Sequence, residues 1–86
     1  MKYYLITDDV DTSVGLRLAG VDGKILSDLS LGQQAIDEAV NNEEIGVLMV
    51  SNRVAEAFRD KLDEIRRTHR LPLIVTLPDR TEETRL

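Results

Sequence analysis

Two adjacent carboxylates, Asp8 and Asp9, close the first apolar run of the chain, Tyr3 to Thr7. Paired acids at the carboxyl end of a strand fall at the crevice where open α/β sheets bind ligands, and oxygen ligands of this kind suit Mg²⁺. The same residues, with Asp11 and Thr12 behind them, also suit a plainer duty, the capping of a helix that follows the strand. Ser51 and His69 are the remaining ingredients of acyl-transfer chemistry. His69, the only histidine, lies in the basic cluster Arg66, Arg67, His69, Arg70, far along the chain from the strand end that carries Ser51, so a nucleophile–base arrangement is not supported. Gly20 and Gly23 follow the first helix, whereas a phosphate-binding loop needs its glycines between strand and helix. With no cysteine, disulfides, thiolate metal sites and a cysteine nucleophile are excluded. These residues therefore assign no catalytic group and no cofactor; Asp8 and Asp9 are the only metal candidates.

Composition narrows the class of partner. Eighty-six residues, 42% apolar and 31% charged, fit one ordinary globular domain. Tyr3, Tyr4 and Phe58 are the only aromatics, so the core is aliphatic and a base-stacking platform is not expected. The net charge is −5, with the whole deficit in the first half, which makes nucleic acid an unsuitable partner. The basic cluster falls where a helix ends and complements the negative end of its dipole. No apolar run approaches the ~20 residues needed to cross a bilayer. Met1 to Leu5 leads straight into a strand without a signal-peptide layout, so a cytoplasmic location without membrane insertion is expected.

The elements that must position these residues are legible from periodicity. Tyr3 to Thr7, Lys24 to Leu26, Val47 to Val50 and Leu73 to Leu77 are short apolar runs bounded by turn residues and read as strands. The first helix runs from Asp11 to Gly20. Gly15 inside it marks a kink or a close approach, read here as close packing on the sheet, and Gly20 supplies a left-handed end. Asp22-Gly23 reads as a turn before the second strand. Ser30 and Gln33 form a capping-box pattern opening a second helix with apolar Leu31, Ala35, Ile36, Ala39 and Val40, ended by Asn41-Asn42. Ser51 or Asn52 caps a third helix, Arg53 to Arg67, with the stripe Val54, Phe58, Leu62, Ile65 and an Asp63–Arg67 ion pair on its outer side. Leu71-Pro72 stops it.

Strands alternating with helices predict an α/β fold of three layers: a four-stranded parallel sheet in order 2-1-3-4 with helices on both faces. The first helix then lies alone on one face. The arrangement is flavodoxin- or receiver-like but lacks the fifth strand and the final helix that would sit beside the first. Residues 1–78 form the domain and 79–86 a short polar C-terminal tail. Val47 to Val50 is apolar on both sides and is expected to be buried on both. Thr76 breaks the alternation of the last strand, as expected of a less covered face, and a partner chain or self-association is expected to cover part of the gap.

The acidic pair is similar to that of phosphoacceptor receiver domains, which makes a receiver-like adaptor or signalling domain the alternative reading. The acceptor aspartate of such domains belongs at the end of the third strand, where this chain has Ser51-Asn52, so phosphotransfer is not expected. A fuller match comes from Asp9, Thr12 and the run Gly15-Leu16-Arg17-Leu18-Ala19-Gly20, followed by Ile45-Gly46, the strand Val47 to Val50, the helix Arg53 to Arg67, Pro72 and Pro78. In that order and spacing, roughly from Tyr4 to Arg80, the chain resembles the F subunit of vacuolar/archaeal-type (V/A-type) rotary ATPases. The resemblance implies a non-catalytic central-stalk part that binds the coiled-coil shaft, the D subunit, and through it the catalytic hexamer, cytoplasmic and peripheral to a membrane-bound complex. It implies coupling of ATP synthesis or hydrolysis to hydrogen-ion or sodium transport, with no cofactor of its own. Arg17 and Thr76 are the positions named for partner contact. The family pattern continues past the last strand into a helical segment, where this sequence has only Asp79 to Leu86.

Overall fold

The computed structural model describes residues 2–78, apart from the side chain of Thr12; the expected tail, 79–86, lies outside the described residues. Four strands, β1 (Lys2–Thr7), β2 (Asp22–Ile25), β3 (Ile45–Ser51) and β4 (Leu73–Leu77), alternate with helices α1 (Val10–Leu18), α2 (Gly32–Asn41) and the pair α3 (Asn52–Ala57) and α4 (Arg59–Thr68). All neighbouring strands are parallel, as the alternation predicts, and the order is the expected β2-β1-β3-β4. Each crossover carries a helix, and α1 packs on β1 and β2 while α2, α3 and α4 pack on the other face.

Most of the core lies on that second face. Ile6 of β1, Leu48 and Val50 of β3, Ile36 of α2, Val54 of α3 and Leu62 of α4 are all but sealed from solvent, each worth about 1.5–3 kcal/mol on burial. β3 is buried along most of its length, with Val47 half-covered.

Helix ends follow local chemistry. Asp9 caps α1, its Oδ1 accepting the Asp11 N–H at 3.1 Å. Gly20, at φ 89°, turns the chain into the left-handed region, so that its N–H reaches the Arg17 carbonyl and that of Val21 the Leu16 carbonyl, both at 3.0 Å. Ser51 caps α3 by accepting the Val54 N–H at 3.3 Å.

Several expectations need correction. The Ser30–Gln33 capping box does not form: Asp28, two residues upstream, takes the Ser30 N–H at 3.0 Å, a short 3-10 turn spans Leu29–Leu31, and α2 begins only at Gly32 with no side-chain cap. The third helix is not continuous but breaks at Phe58 (φ −121°, ψ 33°). The cause is tertiary: a Cβ on Gly32 would lie 2.3 Å from Phe58 Cε2, so the ring occupies the space that glycine leaves at the start of α2. The Asp63 carboxylate pairs with Arg66 at 3.3 Å rather than with Arg67. Asp22-Gly23 is strand, not turn, and Gly23 is the glycine of close approach, since a Cβ there would meet the Leu5 carbonyl oxygen at 2.6 Å. Gly15, by contrast, faces open space, with nothing within 4 Å of an added Cβ.

Candidate functional site

Register decides what each face of the sheet presents. Tyr3 lies beside Val47 and Val47 beside Leu73; Leu5 lies beside Met49 and Met49 beside Val75. Side chains alternate along a strand, so these two rows share the face on which α1 sits. α1 is only nine residues long and covers β1 and β2. Beneath it Leu5 and Thr7 are buried, and Ser13 is buried on the helix's inner side. Nothing among the described residues plays the same part over β3 and β4. Tyr3 is 56% exposed, Leu73 59% and Val75 44%. Together they leave roughly 300 Å² of apolar surface on one sheet face, the scale at which exposed patches mark interaction sites.

The outer side of α1 is also apolar. Val10, Val14 and Leu18 stand at successive four-residue steps and are all more than half exposed. Helices packed on sheets normally turn such a stripe inward; here Ser13 and the half-buried Leu16 face the sheet instead.

At the carboxyl end of the strands the acidic pair is divided between two tasks. Asp9 caps α1 and donates its own N–H to Thr7 Oγ1 at 3.0 Å. Asp8 accepts the Ser51 hydroxyl at 3.1 Å on Oδ1 and an Arg53 guanidinium at 3.3 Å on Oδ2. That hydroxyl and ion pair tie the end of β1 to the β3–α3 junction. Among the described residues no group of three or more histidine, cysteine or acidic side chains is placed to hold a metal ion. His69 ends α4, exposed, with Nδ1 2.9 Å from Thr68 Oγ1, and does not approach Ser51. Arg66 and Arg67 occupy the last turn of α4 as the dipole favours, and Arg66 also reaches the Ile74 carbonyl at 3.3 Å.

The Tyr4 phenol and the Asp28 carboxyl are shifted from their ordinary pKa values. Burial, with the carboxylates of Glu38 and Asp22 nearby, pushes the Tyr4 phenol up. The Ser30 hydrogen bonds hold the Asp28 carboxyl below the usual carboxylate range.

The two positions named for partner contact are not brought together. Arg17 is exposed in the last turn of α1. Thr76 lies in register with Val50, on the face of α2, α3 and α4, where it borders a shallow groove with Asn52, Ala55, Leu62 and Arg66. The residues that do form a continuous surface, Tyr3, Val47, Leu73 and Val75, were visible in sequence only as alternating strand positions. Register, which aligns them across three strands, is what no single strand pattern shows.

The fold is a short parallel α/β sheet with one face half-covered, and the sequence places it in a family. The chain belongs to the ATP synthase (F/14-kDa) subunit family, whose model matches residues 4–86. It is 34% identical over 76 residues to the A-type ATP synthase F subunit of Methanocaldococcus jannaschii and 32% identical over 76 residues to that of Methanococcus maripaludis, in each case covering 87% of this chain and 72% of the relative. To the A-type ATP synthase F subunit of Methanothermobacter thermautotrophicus it is 25% identical over 77 residues, 88% of this chain and 72% of the relative. It is thus one of the subunits of an ATP synthase complex and partners with others of them. No helix among the described residues is long and apolar enough to cross a membrane.

Proposed function

We propose that this chain is a non-catalytic central-stalk component that mounts on a coiled-coil shaft, of the kind called the D subunit, by the α1-side face of its sheet. Through that shaft it takes part in coupling ATP synthesis or hydrolysis to ion transport, on the cytoplasmic side of a membrane-bound complex. The observation that carries the reading is the uncovered apolar face: Tyr3 and Leu73, in register through Val47, and Val75 on the same face lie exposed beside a single helix. A helix laid along β3 and β4 would complete the missing layer, as helices do in doubly wound sheets. A rotor part needs a stiff body rather than a transition state to stabilise, and four strands in parallel register on a sealed aliphatic core supply one. The residues that would serve chemistry, Asp8 and Ser51, are engaged with one another.

The test is co-purification of the tagged chain with a shaft protein expressed beside it. Leu73→Lys and Val75→Lys should each weaken capture by roughly tenfold or more, since charge on an apolar contact removes the burial that drives association. Leu31→Lys, at an exposed leucine in the 3-10 turn before α2, should bind as the parent does. Equal capture by all three variants would overturn the proposal.

A further inference from the structure

β4 is an outer strand of the sheet, and among the described residues no strand pairs with its free edge. From Leu71 to Pro78 the sequence carries no charge, so the lysine or acid that commonly blunts an edge is missing. β2, the opposite edge, is shorter and exposes Asp22 and Lys24. Arg66 shows which way the β4 main chain points. Its guanidinium reaches the Ile74 carbonyl at 3.3 Å in an exposed contact. The seam between β3 and β4 lies beneath Leu48 and Val50, both sealed from solvent, so that contact is made from the outer side. Main-chain groups alternate along a strand, and those of Ile74 and Thr76 therefore turn outward. Pro72 and Pro78 stand in the same phase and have no N–H to offer.

The run Pro72-Leu73-Ile74-Val75-Thr76-Leu77-Pro78 reads almost the same in both directions about Val75. We infer that free chains of this protein pair by their β4 edges, antiparallel and two-fold about Val75, joining two four-stranded sheets into one of eight. In that register Ile74 of each copy lies opposite Thr76 of the other, and each such pair exchanges both of its N–H···O bonds. The Ile74 oxygen has two lone pairs, so it can accept the new N–H and keep Arg66. Bonding stops at the prolines, which fall opposite one another at both ends. Between the bonded pairs Val75 meets its own copy and Leu73 meets the other copy's Leu77, the close pairs of an antiparallel ladder. All of these side chains lie on the α1-side face. Such an interface is isologous and uses up the edge, so it closes at two copies. Its area is small, roughly 300–400 Å² per copy against the ~800 Å² of a standard interface. The dimer is therefore weak, with a dissociation constant on the order of 0.01–1 mM. The seam takes the edge of β4, whereas the shaft reading takes the face of the sheet.

The experiment uses the whole chain and the absence of native cysteine. Val75 sits on the two-fold axis, where opposed Cα atoms lie about 4.5 Å apart, within the span a disulfide bridges. Mild oxidation should therefore link Val75→Cys to its own copy about tenfold faster than a control, Lys24→Cys, on the exposed opposite edge. Leu73→Cys should link poorly to itself and well to Leu77→Cys in a mixture. Sedimentation equilibrium of the unmodified chain should show concentration-dependent dimer. Thr76→Pro removes half of the interchain bonds and leaves Tyr3, Leu73 and Val75 in place. It should weaken the dimer about tenfold without changing capture of the shaft protein, with circular dichroism reporting its fold. Val75→Cys linking no faster than Lys24→Cys, Leu73→Cys linking to itself as fast as to Leu77→Cys, or a chain that stays monomeric at about 1 mM would each overturn the pairing. So would a folded Thr76→Pro chain that dimerises as the parent does. Loss of shaft capture by Thr76→Pro in a chain that never dimerises would also overturn it, since the edge would then belong to the shaft.

Discussion

Gly23 and Gly15 make a matched pair of perturbations with opposite expected signs. An alanine at 23 puts its Cβ 2.6 Å from the Leu5 carbonyl oxygen and 3.0 Å from Leu5 Cβ, well inside the 3.4–4 Å of ordinary contact. The obstacle is backbone, and it cannot recoil: β1 is hydrogen-bonded on both sides and Leu5 is 1% exposed. The strain must be taken by β2, an edge strand, moving outward and loosening α1, which rests on it. Overpacking of this kind costs about 1–3 kcal/mol, offset by ~0.4–1 kcal/mol from the smaller entropy of an unfolded chain with alanine in place of glycine. The net is a loss of about 1–2 kcal/mol, or roughly 4–16 °C in Tm for a domain of this size. At Gly15 the same methyl meets nothing within 4 Å, on a helix interior where glycine is the weaker former, so Gly15→Ala should gain about 0.5–1 kcal/mol. Urea unfolding followed by far-ultraviolet circular dichroism, at low micromolar protein, reads both. Shifts of the same sign, or a Gly23→Ala chain as stable as the parent, would refute the assignment of close approach to Gly23.

Two further outcomes follow from the strand ends and the core. Ser51→Ala removes both the α3 cap and the hydroxyl that Asp8 accepts, and should lower stability by about 1–2 kcal/mol in the same urea assay. In a Tyr3→Phe background Tyr4 is the only tyrosine, and its absorbance titration should have a midpoint above the ordinary value of 10.0. Because the folded value is the raised one, the neutral phenol's contribution to stability is fully present below the unfolded value and is lost as pH rises through the folded one. A midpoint at or below the ordinary value would contradict the burial of that ring.

What was legible in the sequence was whatever local chemistry settles. Gly20 ends α1 because only a left-handed residue lets the last carbonyls be satisfied, and Ser51 caps α3 because its hydroxyl reaches the N–H three residues on. Given the flavodoxin-like order 2-1-3-4, the lone helix on one face follows from crossover handedness and a count of elements. Contacts between distant segments were not legible. Gly15 looked like the glycine of close approach because it sits in a helix, yet the close approach is at Gly23, where β2 meets β1. The stripe Val54, Phe58, Leu62, Ile65 keeps helical spacing straight through a break that Phe58 makes by packing on α2. The row Tyr3, Val47, Leu73, exposed at its two ends, emerges only when register lines up three strands. The α1 stripe was readable as spacing, but its direction depends on which side of α1 the sheet selects, and the sheet takes Ser13 and Leu16.

The fit of Phe58 over Gly32 has a consequence beyond this one chain. The ring fills a space that exists only because residue 32 has no side chain, so the two positions are one decision made in two places. In related sequences, a residue larger than glycine at 32 should be accompanied by a smaller side chain at 58 and by a straighter final helix. An alignment would show the two columns varying together, although one lies at the start of α2 and the other at the break between α3 and α4.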